Sequence, residues 1–105
     1  MGMFGKKNKE SKELTNYYNE VMRIRLELEE NKVGSKAELD LYDQEIVEKI
    51  HHITIFVFIF IKELNESFVY SNSAVKKFIL DDYPWVDKAN IDKYIEIGLK
   101  RYRKK

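Results

Sequence analysis

A chain of 105 residues is long enough for one small domain, and its 44% hydrophobic content is too high for a disordered protein. The net charge of +1 is far below that of a typical nucleic-acid-binding domain, and the absence of cysteine excludes disulfides, thiol catalysis and cysteine-ligated metals. One proline and four glycines leave few positions that could interrupt long helices. The composition therefore favours an all-α fold, a small helical bundle.

Residues 1–10 are predicted to form a flexible basic N-terminal arm, followed by a single helical domain over residues 11–105. The arm lacks the apolar stretch of a secretory signal, and Lys6 occupies the position where a myristoylation signal has Ser or Thr. We therefore expect a cytoplasmic protein. The excess of lysine over arginine, with frequent Ile, Asn and Tyr, is typical of AT-rich genomes and suggests a bacterial or phage origin.

The first helix is predicted to begin near Ser11, a good N-cap residue, and to end at Gly34, a residue type that favours helix ends. Apolar side chains recur between them every three or four positions, which is the spacing of one helix face. This stripe consists of Leu14, Tyr17, Val21, Ile24 and Leu28.

The second helix is predicted to run from Ser35, which forms a capping-box pattern with Glu38, to Leu64. About 30 residues correspond to about 45 Å. Because that is long for so small a domain, we expect either a break near His51–His52 or a part that projects into a partner. One continuous helical stripe supports this element: Leu39, Tyr42, Ile46, Ile50, Ile53, Val57, Phe60 and Leu64.

The uncharged run Ile53–Ile61 lies in the middle of this helix. It is too short to cross a membrane, which takes about 20 apolar residues. Val, Ile, Phe and Thr also favour strands, but the rest of the chain offers no convincing partner strand. Because apolar residues cover all sides of the run, we expect one long central apolar helix surrounded by neighbours.

Two shorter helices complete a predicted bundle of about four helices. The third runs from about Ala74 to Asp81 and is ended by Pro84, since the residue before a proline avoids the helical region. The fourth follows Asp87, a plausible N-cap. Within it, Gly98 either weakens the helix slightly or allows a neighbour to approach closely.

The chain shows no pattern of a catalytic or metal site. His51 and His52 are adjacent, so on a helix their side chains diverge by about 100° and cannot bind one ion together. Glu48 and His52 could supply two ligands, but a third is missing. No nucleophile motif, phosphate-binding loop or metalloprotease motif occurs. We therefore expect neither enzymatic activity nor a metal or cofactor.

The aromatic content predicts a protein interface, because seven Tyr, six Phe and one Trp are many for so small a core. Alternatively, each ring packs half-buried on the bundle. We expect a non-enzymatic interaction module that forms a homo-oligomer or covers a partner's functional surface, as inhibitors, immunity proteins and phage accessory factors do. The candidate partner-binding residues are Tyr17, Tyr18, Ile55, Phe58, Ile59, Tyr83 and Trp85.

The basic ends support an alternative function, a nucleic-acid-binding regulator. Lysines and arginines there could contact phosphates while a tyrosine stacks on a base. The third and fourth helices also resemble a helix-turn-helix in outline. A purely structural explanation is that basic side chains are favoured at helix C-termini. The candidate residues are Lys6, Lys7, Lys100, Arg101, Tyr102, Arg103 and Lys104.

Overall fold

The computed structural model describes the backbone of residues 2–103 and the side chains of residues 12–103. All its regular structure is helical over these residues, which confirms the predicted all-α fold, with five helices where about four were expected. The helices are α1 Gly2–Glu29, α2 Ser35–Leu39, α3 Gln44–Glu66, α4 Asn72–Asp82 and α5 Lys88–Tyr102.

Helix α1 extends to Gly2, whereas the sequence pattern places its start near Ser11. The side chains of Lys6 and Lys7 lie outside the described residues, and so does Lys104. The flexibility of the N-terminal arm stays a prediction.

The predicted second helix is divided into two. α2 ends at Leu39 and α3 begins at Gln44, so the interruption falls at residues 40–43, and α3 continues through His51–His52 without a break. The carboxylate of Asp43 caps α3 by accepting a hydrogen bond from the amide of Glu45 at 2.9 Å. The apolar helix therefore begins at Gln44, nine residues after the predicted start at Ser35, and its start is set by the Asp43 cap.

Ser35 does not cap α2, contrary to the capping-box prediction. It is already the first helical residue, and Gly34 precedes it with a φ of 89° and no side chain to cap the helix. The amide of Glu38 donates to the carbonyl of Gly34 at 2.9 Å. The backbone of this glycine thus closes the single turn that α2 makes.

Helix α3 packs against α1, α4 and α5, and α1 also contacts α5. Phe60 of α3 stacks on Phe78 of α4 with ring centroids 4.1 Å apart. Within residues 2–103, no helix has both the length and the continuous apolar character needed to cross a bilayer. The largest fully buried side chains belong to Tyr94, Met22, Ile24, Leu26, Ile50, Ile61 and Ile79.

Gly98 brings α5 close to α3. A Cβ atom at this position would lie 2.6 Å from Cδ1 and 2.9 Å from Cγ2 of Ile61. Both distances are far below a van der Waals contact between carbons. Of the two roles that the sequence allows for Gly98, the structure shows the close approach.

Asn19 joins α1 to the segment that precedes α5. Its side-chain amide donates to the carbonyl of Trp85 at 2.8 Å, and its side-chain oxygen accepts from the amide of Asp87 at 2.9 Å. Asp87 in turn caps α5, as predicted, by accepting from the amide of Asn90 at 2.9 Å. One side chain of α1 therefore positions the start of the last helix.

The same hydrogen-bonded turn ends α1 and α3, with Asn31 and Phe68 at positive φ angles of 60° and 59°. After α3, the amide of Phe68 donates to the Asn65 carbonyl at 3.1 Å and the amide of Val69 to Leu64 at 3.0 Å, which is the Schellman pattern. Asn tolerates this left-handed position, whereas a bulky residue is strained there by roughly 1–2 kcal/mol. The side chain of Phe68 is nevertheless 78% exposed.

Candidate functional site

An exposed apolar patch on α3 is formed by Ile55, Phe56 and Ile59, whose exposed fractions are 39%, 57% and 46%. At about 100° per residue these side chains share one side of the helix, opposite the buried Val57. No other helix among the described residues covers this side. A cluster of large apolar side chains on a regular helix, left in water, is a candidate docking surface.

Carboxylates bracket the apolar patch at both ends. Glu45 and Glu48 precede it and Glu63 and Glu66 follow it, all four are exposed, and none pairs with a basic side chain of residues 12–103. His52, also exposed, lies between the first pair and the patch. Helix geometry places these residues within about 100° of one another. We call this set the outward face of α3: Glu45, Glu48, His52, Ile55, Phe56, Ile59, Glu63 and Glu66.

Two of the predicted partner-binding residues, Ile55 and Ile59, lie in the apolar patch, and Phe58 does not. Phe58 is only 6% exposed, its ring meets Tyr94 edge-on with centroids 5.6 Å apart, and the guanidinium of Arg101 lies 5.2 Å from its centroid. This ring belongs to the contact between α3 and α5. Phe56, which was not among the predicted site residues, is the most exposed member of the patch.

Tyr17 is half-buried and supports the turn before α3. Its hydroxyl accepts a hydrogen bond from the amide of Asp43 at 2.8 Å, and its ring meets that of Tyr42 edge-on at 5.4 Å. The contacts of Tyr17 thus lie within the chain and fix the residue that caps α3.

Tyr18, Tyr83 and Trp85 form a cluster of half-buried rings that joins α1 to the segment between α4 and α5. The centroid of Trp85 lies 5.2 Å from that of Tyr18 and 6.2 Å from that of Tyr83. Such tilted and edge-on contacts stabilise aromatic pairs by about 0.5–1.5 kcal/mol beyond burial. The structure therefore places these three predicted site residues against one another. None of them lies on α3, the helix that carries the apolar patch.

Three helices meet in an ion-pair network around Glu29 of α1. Arg25 pairs with Glu29 along α1, and Arg101 of α5 donates to the Glu29 carboxylate at 2.6 Å and to its backbone carbonyl at 3.0 Å. Arg25 also donates to Nδ1 of His51 on α3 from two nitrogens, at 3.2 Å and 3.0 Å. Burial acts to raise the pKa of Glu29, but hydrogen bonds from Arg25 and Arg101 outweigh it and hold the pKa below its ordinary value of 4.5.

Two of the predicted nucleic-acid-binding residues at the C-terminal end of α5, Arg101 and Tyr102, make contacts within the molecule. Arg101 is engaged with Glu29, and Tyr102 is half-buried. Lys100 and Arg103 are exposed. The ion pair of Arg101 leaves it with less capacity to contact a phosphate than a free arginine would have.

A polar cleft of about 550 Å³ lies between α1 and the start of α5. Its charged side chains other than Asp87 are paired with each other: Arg23 bonds to Glu27 at 2.5 Å, and Lys93 lies 3.5 Å from Glu30. Among the described side chains, no three His, Asp or Glu groups converge as a metal site would require. With its charges nearly balanced, the cleft has little electrostatic preference for a ligand of either sign.

The chain matches no protein-family model, no curated protein and no solved structure.

Proposed function

We propose that this protein is a non-enzymatic, cytoplasmic interaction module that binds a protein partner through the outward face of α3. One observation carries the proposal: Ile55, Phe56 and Ile59 are exposed together on a helix whose remaining apolar side chains are buried or half-buried. A monomer gains nothing by leaving large apolar groups in water, since their burial contributes about 25 cal/mol per Å². A partner that covers the patch recovers that free energy.

The proposed mechanism is occlusion. A partner segment seated on the outward face would cover Phe56, and its own surface would be hidden in return. α3 would then be surrounded on all sides, as the sequence pattern predicts for a central apolar helix. Inhibitors, immunity proteins and phage accessory factors are an analogy in size and kind for such covering, and a second copy of the chain is the alternative occupant.

A photo-crosslinking residue at position 56 tests the proposal in the native host. We expect it to join the protein to one discrete species, because Phe56 would lie inside the interface. The matched control carries the same crosslinker in place of Lys76, an exposed residue of α4. Identical products from both positions, or no product from position 56, would contradict the proposed interface.

The alternative function, nucleic-acid binding by the basic ends, is supported by the exposure of Lys100 and Arg103. It predicts binding to a labelled DNA or RNA duplex that weakens steeply as salt rises. Replacing Lys100 and Arg103 by Ala should then weaken that binding at every sequence tested. Binding that is insensitive to salt and to both replacements would exclude this function.

A further inference from the structure

We infer that the partner seated on the outward face of α3 is a basic amphipathic helix and not a second copy of this chain. This inference rests on the proposed function and specifies the chemistry of the partner. Four observations support it: the exposed apolar patch, the carboxylates at both ends of it, the absence of basic partners for them within residues 12–103, and the regular helix that spaces them.

The spacing along α3 sets the length of the partner. Glu48 and Glu63 are 15 positions apart, which corresponds to about 22 Å along a helix. Ile55, Phe56 and Ile59 occupy the middle of that span. A complementary helix therefore has a central apolar turn or two, with lysines or arginines about two turns away on either side, in a segment of roughly 15–20 residues.

The charge on this face selects a basic occupant. Four glutamates lie on the outward face, while Lys49 and Lys62 flank it at its two edges. Opposite charges at the rim of an apolar contact accelerate encounter and set the register, and like charges disfavour wrong partners. An occupant with cations at both ends satisfies the carboxylates that have no basic partner within the described part of the chain.

A second copy fits this face poorly. In an antiparallel pair centred on the patch, Glu48 of one copy lies opposite Glu66 of the other. In a parallel pair every glutamate lies opposite its own counterpart. Because both arrangements bring carboxylates together, and the four glutamates outnumber Lys49 and Lys62 at the edges of the face, self-association through this face is opposed by repulsion.

Two synthetic 18-residue peptides test the inference. Both carry leucines on one central helical face, bracketed by lysines in the first and by glutamates in the second. Fluorescence anisotropy with the full chain is expected to show about tenfold tighter binding of the lysine peptide at low salt, with the difference shrinking as salt rises.

Charge reversal sharpens this test. Replacing Glu45, Glu48, Glu63 and Glu66 by Lys should invert the preference and favour the glutamate peptide. Ile59→Asp should weaken binding of both peptides, and Lys76→Glu on α4 is the matched control that should leave the lysine peptide bound. Circular dichroism verifies that each variant is folded, which is expected because all replaced residues are exposed.

Several outcomes would overturn the inference. Equal affinity for the two peptides, or no binding of either peptide, would exclude a basic amphipathic helix as the partner of this face. Sedimentation showing a dimer that Ile59→Asp dissociates would identify a second copy instead. Co-sedimentation with phosphatidylcholine vesicles that Ile59→Asp abolishes would identify a lipid surface. A single crosslinked protein from position 56 without the peptide preference would leave the proposed function standing and refute only this inference.

Discussion

Thr54 and Tyr94 share a hydrogen bond inside the contact between α3 and α5. The Thr54 hydroxyl donates to the carbonyl of Ile50 at 2.8 Å, so the Tyr94 hydroxyl, 2.9 Å away, must be the donor to Thr54. Burial raises the pKa of Tyr94, which keeps its phenol neutral and able to donate at every physiological pH. The two partners therefore have unequal roles.

Replacing one partner or the other should have unequal effects on stability. Tyr94→Phe removes the donor and leaves Thr54 bonded to Ile50, so we expect a loss of about 0.5–1.5 kcal/mol in the free energy of unfolding. Thr54→Val strands a buried phenol hydroxyl and should lower it by about 1–3 kcal/mol. Urea denaturation of both variants measures the difference. A larger loss for Tyr94→Phe would contradict the assigned direction of the hydrogen bond.

At the scale of elements, the C-terminal turn of α3 is expected to be less stable than it could be. Phe68→Gly relieves a left-handed backbone that a bulky residue adopts at a cost of about 1–2 kcal/mol. Because glycine also gains freedom in the unfolded chain, we expect a net gain of roughly 0.5–1 kcal/mol in thermal or urea unfolding. Asn31→Gly, in the equivalent turn of α1, is the control, and its free energy of unfolding should increase by less. A loss of stability in Phe68→Gly would show that the exposed ring makes stabilising contacts.

The crossing of α3 and α5 depends on the absence of a side chain at Gly98. Gly98→Ala improves helix propensity by about 1 kcal/mol, but its methyl group would overlap two side-chain atoms of Ile61. We expect a net loss of about 1–3 kcal/mol from overpacking. Ile61→Val removes Cδ1, so the double variant should be more stable than the sum of the two single changes predicts. Strict additivity in urea denaturation would contradict this contact.

The break between α2 and α3 shows what periodicity could not reveal. Leu39, Tyr42 and Ile46 stay in helical phase across it, and all three are buried or half-buried, so the stripe looks continuous. The interruption contains neither glycine nor proline. Its signal is Asp43, whose side chain caps α3 two residues before Glu45.

Single residue types can mark a cap or a close approach, but they do not do so reliably: the cap predicted at Ser35 was wrong, because Ser35 is already helical and Gly34 precedes it. The Asp87 cap is found in the structure as predicted, and of the two alternatives predicted for Gly98 the structure shows the close approach. Whether Phe58 faces the core or the solvent was harder to predict from the sequence. The neighbours of α3, which are α1, α4 and α5, decide which of its apolar residues are buried and which face water, and the periodicity within α3 carries no information about where those helices lie. Phe56 was missed for the same reason.

The whole molecule is held together in part by the network around Glu29, which links α1 to α5 and, through Arg25, to α3. Because the pKa of Glu29 is lowered in the folded state, its carboxylate contributes stability above the unfolded pKa, and this contribution is lost as pH falls through the folded value. Glu29→Gln should lower the free energy of unfolding by about 1–3 kcal/mol at pH 7. The difference in the free energy of unfolding between Glu29→Gln and the unmodified protein should become smaller below pH 4.5.

Urea denaturation of Glu29→Gln and of the unmodified protein at pH 7, 4 and 3 measures this difference in the free energy of unfolding. The control is Glu63→Gln, an exposed glutamate on α3 without an ion pair among the described side chains, for which we expect a change of less than about 0.5 kcal/mol. If the difference caused by Glu29→Gln stays constant with pH, the ionised carboxylate of Glu29 is not the source of the lost unfolding free energy.

The open apolar patch also affects how folding of this chain is monitored. Dyes that fluoresce on hydrophobic surfaces, such as ANS, are used to detect molten globules because native proteins usually bind them weakly. Here Ile55, Phe56 and Ile59 offer such a surface in the native state. A strong dye signal from this protein is therefore compatible with intact tertiary packing, and near-ultraviolet circular dichroism is the measurement that separates the two states.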